Sequence, residues 1–213
     1  MFNVVRSPFE STKAENNSVL KELRKIFYGK CYLCENDVYL PEKEHFVAKS
    51  NDKSKEKDWS NLYYVCRRCN LIKYNVIDKH KLQILDCCDS SIDVSNAIKC
   101  ICASIPNSDF PVEAQYDNEI TKNTANLLHQ CYNAGDGDYE ISRETLHNKI
   151  FGFYYKFLGY KMIIEDIDSL PSEKENAIEH LKIMSQDAYP FSIFWKWHIK
   201  SDTFLSAQIS GGL

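Results

Sequence analysis

The sequence has no apolar run approaching the ~18–20 residues needed to cross a bilayer, and residues 1–15 lack the basic-then-apolar order of an export signal. A cytoplasmic protein with no membrane association is expected. Internal repeats and low-complexity tracts are missing too, which excludes a solenoid. The nine cysteines are an odd number. Without an export signal, that count argues against a disulfide framework and leaves reduced thiols available for metal. A positive overall charge is also lacking, since the net value is −4. Its distribution is uneven: residues 1–80 carry fifteen Lys and Arg against eleven Asp and Glu, and residues 81–213 carry eleven against nineteen, so +4 faces −8. The acidic part should repel a polyanion and suits a basic protein partner; the mildly basic front is the place to look for nucleic-acid chemistry. What is present is enough apolar material for a packed globule, 44% hydrophobic with 13 Tyr and 11 Phe in 213 residues. That length allows one large domain or two small ones.

Apolar spacing predicts a helix over residues 16–28, with Val19, Leu20, Leu23, Ile26 and Phe27 inward and Gly29 as its stop. Residues 31–40 read as a tight hairpin and 48–58 as a polar loop. Residues 61–65 read as a strand or extended segment, and 67–78 as the start of a helix. Alternation over 94–116 predicts a second hairpin turning at 106–109, with Ile98, Cys100 and Cys102 on one face. Helices follow over 118–132, from Ser142 and Thr145 through Tyr160, from Pro171, and from Pro190 through Trp197. The expected division lies near residues 80–93, giving a front domain of 1–85 and a mostly helical, partner-docking domain of 86–213.

Two C-x-x-C pairs, Cys31/Cys34 and Cys66/Cys69, are separated by thirty-one residues. Four thiolates in two knuckles suit tetrahedral Zn²⁺ with Zn–S distances of about 2.3 Å, and a closed set of four leaves no open coordination position. Such a zinc would be structural, so chemistry must come from elsewhere. Between and beside the knuckles stand Glu44-His45, Asn61-Leu62 and Cys69-Asn70-x-x-Lys73. Phosphodiester cleavage needs a base for water, a divalent cation for developing charge, and a scaffold that fixes the base. A lone histidine is more often ordinary packing. His45, bracketed by the four cysteines, is a candidate base because imidazole titrates close to neutral pH. Glu44 and Asn70 offer the hard oxygen donors that Mg²⁺ or Mn²⁺ prefer. Asn61 is expected to tie the His45 loop to the helix. Arg67, Arg68 and Lys73, on the same helix as Asn70, are candidate nucleic-acid contacts.

This constellation over about residues 28–80, E-H, N-L and C-x-x-C-N-x-x-K framed by C-x-x-C, resembles the HNH (His-Me finger) endonucleases. The resemblance implies an α+β fold: a zinc-stapled ββα-metal core followed by a hairpin and a mostly α-helical C-terminal region. It implies that His45 activates water, that Glu44 and Asn70 hold the catalytic Mg²⁺ or Mn²⁺, that Asn61 orients, and that Lys73 is the basic residue after the ligand. The sequence departs from the family pattern at Ala48, where many members have Pro, and at Glu44, where Asp is usual. A finer likeness runs through the short N-terminal lead, E-H-F…D-W-S-N-L (Glu44 to Leu62), N-T-A-N-L-L-H-Q-C-Y-N (Asn123 to Asn133) and S-R-E-T-L (Ser142 to Leu146). These segments resemble the PtuB-type HNH subunits of Septu antiphage systems and related retron cassettes. That likeness implies an antiphage nuclease working beside a PtuA-like ABC/SMC-type ATPase. DNA is the favoured substrate and RNA, such as a tRNA, the alternative; a non-catalytic zinc-binding adaptor is the rival from another class.

The other candidates read more simply. Cys87-Cys88, Cys100, Cys102 and Cys131 are expected to be core thiols. His80, His129, His147, His180 and His198 show no ligand pairing. Trp195-Lys196-Trp197 is expected to pack rather than stack on bases. Lys49, Lys53, Lys55 and Lys57 are balanced between phosphate contact and a solvated loop, because Asp52, Glu56 and Asp58 lie among them.

Overall fold

The computed structural model describes residues 1–8, 16–105, 108–135 and 137–210. Its first helix, α1 (Asn16–Ile26), forms where the sequence spacing placed it. Val19, Leu23 and Phe27 are buried, and the chain leaves the helix through Tyr28 and Gly29, both left-handed at φ 55° and 72°. Gly29 takes that conformation without strain, and its N–H closes the turn on the Arg24 carbonyl at 2.7 Å.

Residues 31–40 do not form the expected hairpin. One bridge, Lys30 to Asp37, closes a knuckle in which Cys31 accepts from Glu35 N and donates to the Asn36 carbonyl, each at 2.9 Å. The paired strands are instead β1 (Pro41–His45) and β2 (Leu62–Cys66), antiparallel with His45 opposite Leu62 and Pro41 opposite Cys66. β1 reads Pro-Glu-Lys-Glu-His, a composition with little strand propensity. It is held by β2, whose Leu62, Tyr63, Tyr64 and Val65 are all buried. Cys66 then caps α2 (Arg67–Val76), its sulfur accepting from Cys69 N at 3.5 Å. The helix stops two residues short of the expected 78, and Asp78–His80 continue as a 3-10 turn.

The second half begins with a short helix, α3 (Val94–Ala97), where a strand was expected. The second hairpin follows as β3 (Ile98–Cys100) and β4 (Val112–Ala114). Ile98, Cys100 and Cys102 are buried together as the alternation required; the expected turn at 106–109 falls partly outside the described residues. Helices complete the chain: α4 (Glu119–Asn133), capped by Asn118; α5 (Glu140–Glu165), opening two residues before Ser142; and α6 (Pro171–Met184), with Pro171 in its first turn and Glu173 capping Leu170 N at 2.8 Å. The last expected helix, from Pro190 through Trp197, forms as α7 (Ser192–Ser201); a further helix that was not expected, α8 (Thr203–Ser210), follows after Asp202, whose carboxylate accepts from Leu205 N. The architecture is thus α+β, with two small two-stranded sheets among the described residues. Among the described residues no helix is long and apolar enough to cross a membrane.

Aromatic packing fills the back half. Phe194 meets Phe110 and Tyr132 edge-on at 5.5 and 5.0 Å between ring centroids, and Trp195 stacks on Phe157 at 5.9 Å. Trp195 and Trp197 are therefore packing residues, as expected. Buried polar contacts join the halves. Lys30 donates to the carbonyls of Asp187 and Tyr189 at 2.7 and 2.8 Å, Ser192 donates to Glu35 at 3.0 Å, and the Met1 amine pairs with Glu35 at 3.0 Å.

Candidate metal centre and adjoining cleft

The two knuckles converge. The sulfurs of Cys31, Cys34, Cys66 and Cys69 all lie within 4.8 Å of one another, none is in a disulfide, and three of the four residues are buried. Cys34 and Cys66 approach to 4.0 Å. One pair comes from the turn after α1, the other from the end of β2 and the first turn of α2. The group therefore ties together segments far apart in sequence, and it could bind a zinc ion. Hydrogen bonding from Cys31, then Cys34 and Cys69, pulls the Cys66 thiol far below its ordinary value. Cys31 raises Cys34, and Cys131 raises Cys69.

Beside this cluster a cleft of about 560 Å³ opens between β1, the loop after it, and α2; His45, Asn70 and Arg67 all line it. The His45 ring is fixed by its end-of-strand position and by Nε2, which lies 3.0 Å from the Glu56 carbonyl. Since a carbonyl only accepts, Nε2 carries the proton and Nδ1 is left as the basic nitrogen. Asn61 holds the loop that makes this possible. Its Oδ1 accepts from Val47 N at 2.7 Å, and its Nδ2 donates to the carbonyls of Val47 and Lys55 at 2.9 and 3.0 Å. Asn61 therefore stitches the two ends of the loop together; it does not tie the loop to the helix as expected.

The acidic residues of β1 are sorted by what α2 presents to them. Glu42 and Glu44, two apart on β1, both face α2. Glu42 accepts from Asn70 Nδ2 at 2.7 Å and lies at the cleft. Glu44 is buried, 2.6 Å from Lys73 Nζ, and accepts from Tyr32 OH at 3.1 Å. Burial pushes its carboxyl up from the ordinary value, against the pull of Lys73. Lys73 meets Oε1 by both charge and hydrogen bonding.

Lys73 is not a surface contact. It is fully buried, also pairs with Asp78 at 2.8 Å, and donates to the His45 carbonyl at 3.3 Å. An ammonium facing two carboxylates is better satisfied inside than facing a phosphate. Arg68 is also committed elsewhere: its guanidinium grips the carbonyls of Cys131 and Ala134 at the end of α4 and lies over Tyr139. Of the three expected nucleic-acid contacts, only Arg67 is exposed at the cleft. In the loop, Lys55 pairs with Asp58 at 3.0 Å and Lys49 with Glu56 at 3.8 Å.

Sequence reasoning missed Glu42 because β1 was not read as a strand; with the strand assigned, its period of two puts Glu42 on the face of Glu44. Tyr32 and Asp78, the other partners in the buried network, carry no local signal of that role. Comparison with protein-family models, with curated proteins and with solved structures finds no match.

Proposed function

We propose that the chain is a metal-dependent endonuclease of the HNH type, with zinc on Cys31, Cys34, Cys66 and Cys69 as a structural staple. The observation that carries this reading is the shared cleft. His45, with Nδ1 basic, and Asn70, with its amide oxygen still available, line one cavity on a β1–β2–α2 unit whose ends are gathered by four thiols. His45 Nδ1 takes the proton of the attacking water, and the Glu56 carbonyl holds the imidazolium that results. Asn61 keeps the loop, and with it that carbonyl, in place. Arg67 meets the phosphate charge at the cleft mouth.

The oxygen donors fit a hard cation in part. Asn70 Oδ1 and the Glu42 carboxylate line the cleft and would hold Mg²⁺ or Mn²⁺; Glu44 lines it too, but Lys73 is paired with one of its oxygens and the Tyr32 hydroxyl donates to the other. Such a cation supplies charge stabilisation to the phosphorane and the departing 3′ oxygen. The HNH resemblance gives 5′-phosphate and 3′-hydroxyl ends as products. DNA is the proposed substrate, with RNA as the alternative. An antiphage role beside a PtuA-like ABC/SMC-type ATPase is proposed on the finer resemblance, and the acidic back half suits a docking surface. The burial of Glu44 and Lys73 favours one second reading, a zinc-stapled adaptor without catalysis.

The test uses His45→Ala and Asn70→Ala, with zinc content and melting temperature as fold controls. Each is expected to retain zinc and lose at least ~100-fold in Mg²⁺- or Mn²⁺-dependent cleavage of plasmid DNA or tRNA. Unchanged biological activity in both variants would establish the adaptor instead.

A further inference from the structure

A second surface cavity, about 820 Å³, is not the cleft but a groove between α1 and the knuckle. Lys21, Arg24, Lys25 and Tyr28 line it and are exposed; the three cations, at spacings of three and four, share one face of α1, and Tyr28 follows in the turn after it. Across the groove stands Tyr39, 96% exposed, on the segment that leads into β1. Asp37 is the acidic residue of the lining, against three cations, in a chain that is acidic overall. Lys25 shares its charge with Glu22 at 2.8 Å, so Lys21 and Arg24 are the main positive contributors. Groove and cleft meet at the start of β1, where Pro41 lines the first and Glu42 the second.

A trough lined by three cations and by the exposed rings of Tyr28 and Tyr39 matches an unpaired polynucleotide. The backbone is met by point charges, and the bases by flat apolar faces that any base can stack on. A duplex would offer phosphates to Lys21 and Arg24 but no base face to Tyr39. We infer that this groove binds a single-stranded stretch of nucleic acid leading into the cleft. The inference deepens the nuclease reading and rests on it for the identity of the cleft, but the groove's own chemistry is independent of cleavage.

The experiment is fluorescence anisotropy of the full chain in Mg²⁺-free buffer without chelator, with a labelled oligothymidylate and a labelled duplex of equal length as probes. Lys21→Ala/Arg24→Ala is expected to weaken single-strand binding about tenfold at low salt and to lower the slope of log affinity against log salt by about 1.4. Tyr39→Ala is expected to weaken it about tenfold with the slope unchanged. Both variants alter exposed side chains, and melting temperature reports their folding. Single-strand affinity equal to wild type in both variants would overturn the inference, as would equal losses for the duplex. Plasmid and tRNA cleavage are measured in parallel. Groove-dependent binding without any cutting removes the nuclease reading and leaves the groove. Intact cutting with groove-independent binding does the reverse.

Discussion

The two halves of the molecule solve burial differently. Every buried Lys and Glu among the described residues, namely Lys30, Glu35, Glu44 and Lys73, falls in the front half, together with the four clustered thiols. The back half buries rings and aliphatics, and its buried polar groups are neutral Thr121, Thr124, Asn133 and Ser192, with His147 bound to the Tyr132 carbonyl at 3.0 Å. A core of rings is stable without help. A core holding charges and thiols is stable only when each is partnered, so the front half depends on specific pairings, and one of them, Glu44 with Lys73, lies at the cleft.

Four measurements can break or sharpen that contrast. The largest effect is expected from Cys34→Ser: zinc bound per chain falls from one to near zero, and the front half loses stabilisation on the order of 10 kcal/mol. Hydrogen exchange should show β1 and β2 opening while α5 and α7 stay protected. Equal exposure of both halves would erase the distinction. Next, Trp195→Ala should cost about 4 kcal/mol in urea unfolding with zinc retained, which localises the damage to the ring core. Lys73→Met should cost about 3–4 kcal/mol because it strands the Glu44 and Asp78 carboxylates. Lys73→Met/Glu44→Gln should recover part of that loss; additive costs would mean that Glu44 and Lys73 do not act as a pair.

The smallest effect concerns pH. His198 accepts from Cys102 N at 3.1 Å, and burial lowers its pKa from 6.5 to about 4. The unfolded chain therefore takes up a proton that the folded chain refuses between those values. Stability is expected to fall by roughly 2–3 kcal/mol as pH drops from 6.5 to 4. His198→Gln should flatten that part of the profile; an unchanged profile would mean that the back half carries no such titration.

The helices were largely legible because their periodicity is strong and their caps are local, as with Asn118 and the Pro171–Glu173 start. So was the thiol cluster, since paired spacing survives any uncertainty in the fold. β1 was not legible: a run of Pro, Glu, Lys, Glu and His becomes a strand only because β2 is beside it. The sorting of the two glutamates follows from that one strand. Without the strand, Glu44 is simply the acid before a histidine; with it, Glu42 and Glu44 share a face and α2 sorts them, Asn70 taking the first and Lys73 the second. The burial of Lys73 and the commitment of Arg68 depend on partners at Asp78 and at the end of α4, which residue type and spacing do not announce.

The Arg68 clasp has a mechanical consequence. The guanidinium that seizes the terminal carbonyls of α4 belongs to the residue two positions after a clustered thiol and two before Asn70. Rotation or sliding of α2 is thereby braced at the helix that opens the back half's bundle, and the floor of the cleft takes its alignment from there. A push delivered to α4 would reach Asn70 through Arg68 and through Cys131, whose thiol touches Cys69.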